Sequence, residues 1–171
     1  MLENTAATSG GLGMRPARPT DGPFLELLYQ SARPDLQLID GSTDMIQQVI
    51  EQQYQSLQTG AGTEYPNAQH YVIERAGSRI GSLVVDFGHN EVRVIYLAFI
   101  PIARGRGYGR SILQGVQQAA AQAQCPVATV VWRNNPQAKQ HYLSLGFQVE
   151  ESSPAAERLI WYPGRSQMAV R

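Results

Sequence analysis

The stretch 91-EVRVIYLAFIPIARGRGYGRSILQGVQQAAAQAQCPVATVVW-132 decides the fold. Residues 91–100 are rich in β-branched and aromatic side chains and read as a strand. Pro101 ends it, because proline cannot donate to the strand ladder. The period then changes: Ile112, Leu113, Val116, Ala120 and Ala123 lie on one face of a helix, and Pro126 breaks that helix. The next run, 127-VATVVW-132, is apolar without alternation, which suits a strand covered on both faces beside a parallel partner. Strand, helix and strand make one right-handed crossover.

Upstream, 70-HYVIER-75 and 79-RIGSLVVDF-87 are strands separated by the turns Ala76-Gly77-Ser78 and Gly88-His89-Asn90. With 91–100 they form an antiparallel meander. Further back, 14-MRPAR-18 reads as a first strand. Asp21 caps a helix carrying Phe24, Leu27 and Leu28, with Pro23 in its first turn and Pro34 at its end. A second helix, from Ser42, Thr43 or Asp44 to about Leu57, presents Met45, Ile46, Val49, Ile50 and Tyr54. Residues 35–42 and 58–69 read as loops. Downstream, a helix from Pro136 to about Leu145 precedes a hairpin at 147–151 and 157–162. Residues 1–13 read as a disordered N-terminal segment, 14–163 as the folded domain and 164–171 as a C-terminal tail, with Met14 a candidate start of the folded protein.

The chain has 171 residues, of which 43% are hydrophobic and 16% charged, so one domain with a sizeable core is expected. Fourteen Lys+Arg balance fourteen Asp+Glu, and a net charge of zero argues against a nucleic-acid partner held by a global field. Lys139 is the only lysine, so the positive charge is almost all guanidinium, the group suited to phosphate and carboxylate. Cys125 stands alone, which excludes a disulfide framework and a Cys-rich zinc site and points to a reducing compartment. His70, His89 and His141 show no metal spacing, and no metal is expected; His141, next to Tyr142, is expected to face elsewhere. No apolar run reaches membrane-spanning length and the N-terminus lacks a signal pattern, so cytoplasm is the expected location, with no membrane partner.

Between the strand and the helix of the opening stretch lies 104-RGRGYGR-110. Gly105, Gly107 and Gly109 remove side chains that would keep a ligand from the backbone. The first N–H groups of the helix have no internal partner and carry partial positive charge. Together with Arg104, Arg106 and Arg110 they make an anion cradle. The spacing is not that of a P-loop, because Gly109 precedes an arginine rather than Lys-Ser/Thr, nor that of the dinucleotide fingerprint.

A second motif, N-x-x-A-x-x-x-Y-x-x-x-G-F, runs from Asn135 to Phe147. With the loop, it resembles the GNAT superfamily of acyl-CoA-dependent N-acetyltransferases. Arg104 to Gly109 match the family's Q/R-x-x-G-x-G/A, Leu97-Ala98-Phe99 and Pro101 match the strand before it, and Asn135 to Phe147 are most similar to ribosomal-protein N-acetyltransferases. The implied fold class is α+β, a mixed sheet of the GNAT type: an antiparallel meander followed by a parallel strand–helix–strand crossover.

The resemblance implies acetyl-CoA as co-substrate, lying where the strands of Leu97–Phe99 and Val127–Trp132 splay apart. It implies backbone contacts from Leu97, Ala98 and Phe99 to the pantetheine arm. The pyrophosphate would lie on Arg104, Gly105, Arg106, Gly107, Tyr108, Gly109 and Arg110, with Asn135 near the pantetheine amide. Tyr142 would be the general acid for the leaving thiolate. The positions that carry a basic glutamate in relatives hold Arg93 and Val130, so the base is sought among Tyr96, Glu91 and Asp86, the two carboxylates reading mainly as solvated. The acceptor is a primary amine of a small molecule or a protein or peptide, selected by about 22–69 and 148–160; Asp35, Asp40 and Asp44 are candidates to draw a cationic one. Trp161-Tyr162 are aromatics that line that site or pack. An edge strand could pair in a homodimer. The alternative is a GNAT-like module that binds acyl-CoA or a partner without catalysis.

Overall fold

The computed structural model describes residues 11–32 and 67–164. The second helix expected at 42–57, and Asp35, Asp40 and Asp44, lie outside the described residues. The described elements are β1 (Leu12–Pro16), α1 (Gly22–Ala32), β2 (Ala68–Arg75), β3 (Ser78–Phe87), β4 (Val92–Phe99), α2 (Tyr108–Gln122), β5 (Val127–Trp132), α3 (Pro136–Ser144), β6 (Gln148–Ser152) and β7 (Ala156–Trp161).

The strands form one seven-stranded sheet in the order β1-β2-β3-β4-β5-β7-β6. The first four pair antiparallel, β4 and β5 pair parallel, and β7 returns antiparallel between β5 and β6. This is the α+β class expected, with the meander and the crossover in place. Alternation sorts the strands into two faces. On one, Ile73, Leu83, Val85, Val92, Val127 and Leu159 pack under Ile112, Leu113 and Val116 of α2 and Tyr142 of α3. The other face carries α1, whose Leu28 and Tyr29 are buried, with the rings of Tyr29 and Tyr96 6.0 Å apart.

Several details differ from the sequence reading. β1 begins at Leu12, inside the segment expected to be disordered, because Leu12 is fully buried and pairs with Arg75. β2 likewise begins at Ala68, within the expected 58–69 loop. Leu27, assigned to the apolar face of α1, is 67% exposed, since Leu28 and Tyr29 turn toward the sheet instead.

Asp21, expected from the sequence to cap α1, instead turns its carboxylate back to β1, β3 and the turn before the helix. Its carboxylate is 1% exposed and accepts from Arg15 Nη1 at 2.8 Å and Nη2 at 2.9 Å. It also accepts from Arg79 Nη1 at 3.2 Å and the Arg18 N–H at 2.8 Å. The Arg15 bonds hold its pKa well below the usual carboxylate range, against the opposing effect of burial. This cluster ties α1 to β1 and β3.

Candidate active site

β4 and β5 are paired only through Val92↔Val127, Arg93↔Ala128 and Val94↔Thr129. The β3–β4 register then slips by one residue, Val85 facing Val94 and Val84 facing Tyr96, so Ile95 is a bulge. A bulge bends its strand and raises its twist. Beyond it β4 stays with β3, while β5 is paired along its whole length with β7. The two strands therefore part. A cavity of about 970 Å³ occupies the gap and continues over the loop between β4 and α2.

Leu97, Ala98, Phe99, Arg104, Gly105, Gly107, Tyr108, Gly109, Arg110 and Asn135 all line this cavity, so the structure brings those sequence-selected residues together. Arg106 does not line it: its Nε donates back to the Ile102 carbonyl at 3.0 Å. Gly105 and Gly107 have φ of 74° and 82°, a left-handed backbone that side chains rarely adopt. Gly107 is the N-cap of α2, and the Ser111 N–H donates to its carbonyl at 3.1 Å. The N–H groups of Tyr108, Gly109 and Arg110 precede that first bond and lack a partner within their own helix. Across the sheet, a Cβ on Gly81 would stand 2.5 Å from the Ala98 oxygen and 2.8 Å from the Phe99 ring, so glycine there lets that ring lie against β3.

Among the described residues, Arg104, Arg106 and Arg110 form no ion pair with a carboxylate. Arg104 is nonetheless anchored. Its Nε donates to the Phe99 carbonyl at 2.9 Å and its Nη2 to the Ser31 carbonyl at 3.2 Å. Arg110 Nη1 donates to Ser144 Oγ at 3.2 Å. The loop thus keeps its positive charge while its arginines are held by neutral oxygens. Asn135 caps α3, its Oδ1 accepting from the Ala138 N–H at 3.2 Å.

Neither tyrosine assigned to catalysis lines the cavity. Tyr142 is 8% exposed, with its ring edge-on to Phe147 at 5.1 Å. Burial pushes its hydroxyl up to about 12, and a hydrogen bond with Thr129 pulls the other way. Thr129 Oγ1 in turn donates at 3.0 Å to the carbonyl of Val94, the last β4 residue paired with β5. Tyr96 lies on the opposite face of the sheet, beside Tyr29.

The two carboxylates are not solvated. Asp86 is 4% exposed and accepts from Arg93 Nη1 at 2.8 Å. Glu91 accepts from Arg158 Nη2 at 2.6 Å and pairs with Arg93 Nε at 2.8 Å. Burial would raise the Glu91 pKa, but the bonds and charges of Arg158 and Arg93 outweigh it, and the pKa is lowered. A carboxylate held in this way is a weak proton acceptor.

Sequence reasoning missed Ser31, Trp132, Asn134, Gln137 and His141, which also line the cavity. His141, expected from the sequence to face elsewhere, instead has its Nε2 where a Cβ on Gly109 would be 3.5 Å away. Burial and then the charge of Arg110 lower its pKa, which favours the neutral imidazole. Its place on the α3 helix could have been read as one step round from Tyr142, but not the proximity of α2. Among the described residues no cluster of His, Cys, Asp and Glu could hold a metal, and no helix is long and apolar enough to cross a membrane.

Residues 66–149 match the family model of the acetyltransferase (GNAT) domain. No curated protein matches the sequence. Among solved structures, the PaiA N-acetyltransferase of Thermoplasma acidophilum in complex with coenzyme A superposes with a TM-score of 0.69 at 14% identity, over 88% of this chain and 98% of that one. An acetyltransferase of Thermus thermophilus gives 0.65 at 22% identity, over 88% and 96%. The spermidine N-acetyltransferase of Vibrio cholerae, in complex with CoA and spermine, gives 0.66 at 15% identity, over 93% and 99%. The chain has the GNAT acetyltransferase fold.

Proposed function

We propose that this chain is a GNAT-family enzyme that transfers an acetyl group from acetyl-CoA to a primary amine. The observation that carries the reading is the parting of β4 from β5, which opens directly onto a loop whose arginines pair with no carboxylate among the described residues. Such a groove suits a ligand with an amide-bearing arm at one end and a diphosphate at the other. The T. acidophilum and V. cholerae relatives, both in complex with CoA, add support.

In this reading the edge of β4 at Leu97, Ala98 and Phe99 binds the pantetheine arm, and Asn135 borders it. The N–H groups of the Gly105–Arg110 loop take the pyrophosphate, helped by Arg104 and Arg110, while Arg106, turned back to the Ile102 carbonyl, adds only its nearby charge. Bound acetyl-CoA supplies a thioester carbonyl for direct attack by the amine. Backbone N–H groups near Leu97 and Ala98 stabilise the negative charge that develops on the carbonyl oxygen. Tyr142 is the residue the family resemblance assigns as general acid for the thiolate. Burial keeps it protonated but also makes it a weaker acid, and it does not line the cavity, so this role needs the site to favour the transfer. Asp86 and Glu91, engaged by arginines, are not assigned as the base. Tyr96 is the remaining candidate from the sequence for the acceptor side.

The same engaged carboxylates suit a second reading, a module that binds acyl-CoA without transferring it. Calorimetric titration with acetyl-CoA tests the shared step. At about 100 times Kd, binding adds roughly 2.7 kcal/mol, a rise of about 5–11 °C in Tm. Amine-dependent release of the CoA thiol then separates enzyme from module. A folded protein that neither binds nor is stabilised would end both readings.

A further inference from the structure

Among the described residues, His141 is the only histidine that lines the large cavity, and the acetyl-transfer scheme gives it no task. Its Nε2 stands 3.5 Å from the place a Cβ on Gly109 would take. In a helix the Cα–Cβ bond tilts toward the N-terminus. The imidazole therefore borders the space before the first turn of α2, where the N–H groups of Tyr108, Gly109 and Arg110 lack a helical partner. The backbone of His141 is engaged, its carbonyl accepting from Ser144 Oγ at 2.6 Å. Its ring forms no hydrogen bond to another of the described residues.

The ring is positioned by two packed helices. Ser144 Oγ also accepts from Arg110 Nη1 at 3.2 Å, which ties the first turn of α2 to the last turn of α3. The Tyr142 ring lies edge-on to the imidazole at 6.3 Å. The charges near it are of one sign. Arg110 faces it from α2, and Arg104 lines the same cavity from the loop. On α3 itself, Lys139 is engaged by Glu157 at 2.8 Å. From β4, β5 and the turn before α3 come Phe99, Trp132, Asn134 and Asn135, none of them charged. Among the described residues no acid lines the cavity. Within the protein alone, burial and then Arg110 disfavour the imidazolium. A diphosphate on the adjacent N–H groups reverses the balance, because its negative charge favours a cation beside it.

We infer that His141 is a further residue contacting the co-substrate: it takes up a proton as the diphosphate of acetyl-CoA binds, and donates that N–H to a phosphate oxygen. This rests on the acyl-CoA reading of the cavity and deepens it. The proton comes from solvent and returns there on release. The bond it makes is charge-assisted on both sides, N–H of a cation to the oxygen of an anion. Proton uptake on binding fixes the sign of the pH dependence. Affinity rises as pH falls through the pKa of His141 in the complex, and levels off below its pKa in the free protein. The guanidiniums of Arg104 and Arg110 stay charged throughout. Tyr142, pushed up to about 12, does not titrate in this range. His141 is therefore the part of the cradle whose charge follows pH.

The test is calorimetric titration with acetyl-CoA from about pH 5.5 to about pH 8, in two buffers of different protonation enthalpy. The 3′-phosphate of acetyl-CoA titrates near pH 6 as well, so the quantity read is the difference between wild type and His141→Gln. Wild type is expected to take up more protons than the variant. Its affinity should gain about tenfold over the variant's between the two ends of the range. Imidazole proton NMR reads the same event in the wild type alone and serves if the variant unfolds. The His141 resonance should titrate at higher pH with acetyl-CoA than without it, the other two rings being assigned with His70→Gln and His89→Asn. Equal proton uptake by wild type and a folded variant, or a His141 titration that acetyl-CoA does not move, would overturn the inference and leave the acyl-CoA reading standing. A folded wild type that does not bind acetyl-CoA would overturn that reading, and the inference with it.

Discussion

The two ends of β4 run beside the same neighbour and are treated differently. From Val92 to Val94 the strand is paired to β5, with Val92, Val94 and Val127 buried on one side. On the other side, the chain of ion pairs from Asp86 through Arg93, Glu91 and Arg158 to Glu150 clamps β3, β4, β7 and β6. From Leu97 to Phe99 the strand keeps β3 but has lost β5, and the space between holds a cavity of about 970 Å³. Polar backbone groups along such a gap need partners, from water or from a ligand. One strand therefore serves as core at one end and as a binding edge at the other, with a single bulged residue, Ile95, between them.

Tyr142 offers the sharpest way to break this division, because it is buried beneath the paired end yet assigned to chemistry at the open one. Tyr142→Phe is expected to lower kcat by about 10²–10⁴-fold, measured by thiol release, with little change in Tm. An unaltered rate would leave Tyr142 as core alone and move the acid elsewhere.

Asp21 probes the opposite edge of the sheet, far from the gap in strand order. Asp21→Asn is expected to cost on the order of 3 kcal/mol, by loss of a buried carboxylate from its arginines, read by urea unfolding. Acetyl-CoA affinity should stay within about twofold. The folded pKa of Asp21 lies below its unfolded value. Its contribution is therefore complete above about pH 4 and is lost as pH falls further. The Asn variant should lack that part of the acid destabilisation.

Gly109→Leu separates stability from binding at the open end. Gly109 has no positive φ, and a Cβ there would make ordinary contacts of 3.5 Å with His141 and 3.6 Å with Phe99. The rest of a leucine would stand in the cradle. Acetyl-CoA affinity is expected to fall at least about 100-fold, some 2.7 kcal/mol, while Tm holds or rises, since leucine favours the helix over glycine. The smallest effect is expected at the α3 cap. Asn135→Ala should cost about 1 kcal/mol of stability; a larger loss of acetyl-CoA affinity would show that Asn135 also touches the ligand.

Much of this was legible from residue order. The period change after Pro101, the unalternating run at 127–132 and the glycines before α2 specify the crossover and place the loop at a helix start. Strand alternation and helix spacing are local, and so are turn and cap residues; they can be read within a few positions. The ends of β1 and β2 were misplaced because nothing local says that Leu12 will find Arg75 across the sheet.

What only the tertiary structure decided are the partners. Arg158 meets Glu91 across 67 residues and Arg104 meets Ser31 across 73, and no spacing rule joins them. Asp86 and Glu91 read as solvated acids in the chain and are ion-paired in the fold. His141 is one step from Tyr142 on α3 but reaches the cradle because α2 packs beside it. The sequence by itself determined the elements, their order and the anion-binding loop, since these depend on backbone propensity and short periods. The parting of β4 from β5, the burial of Tyr142 and the ion pairs of Arg93 and Arg158 were decided by packing, because burial and charge pairing depend on which distant segments share a face.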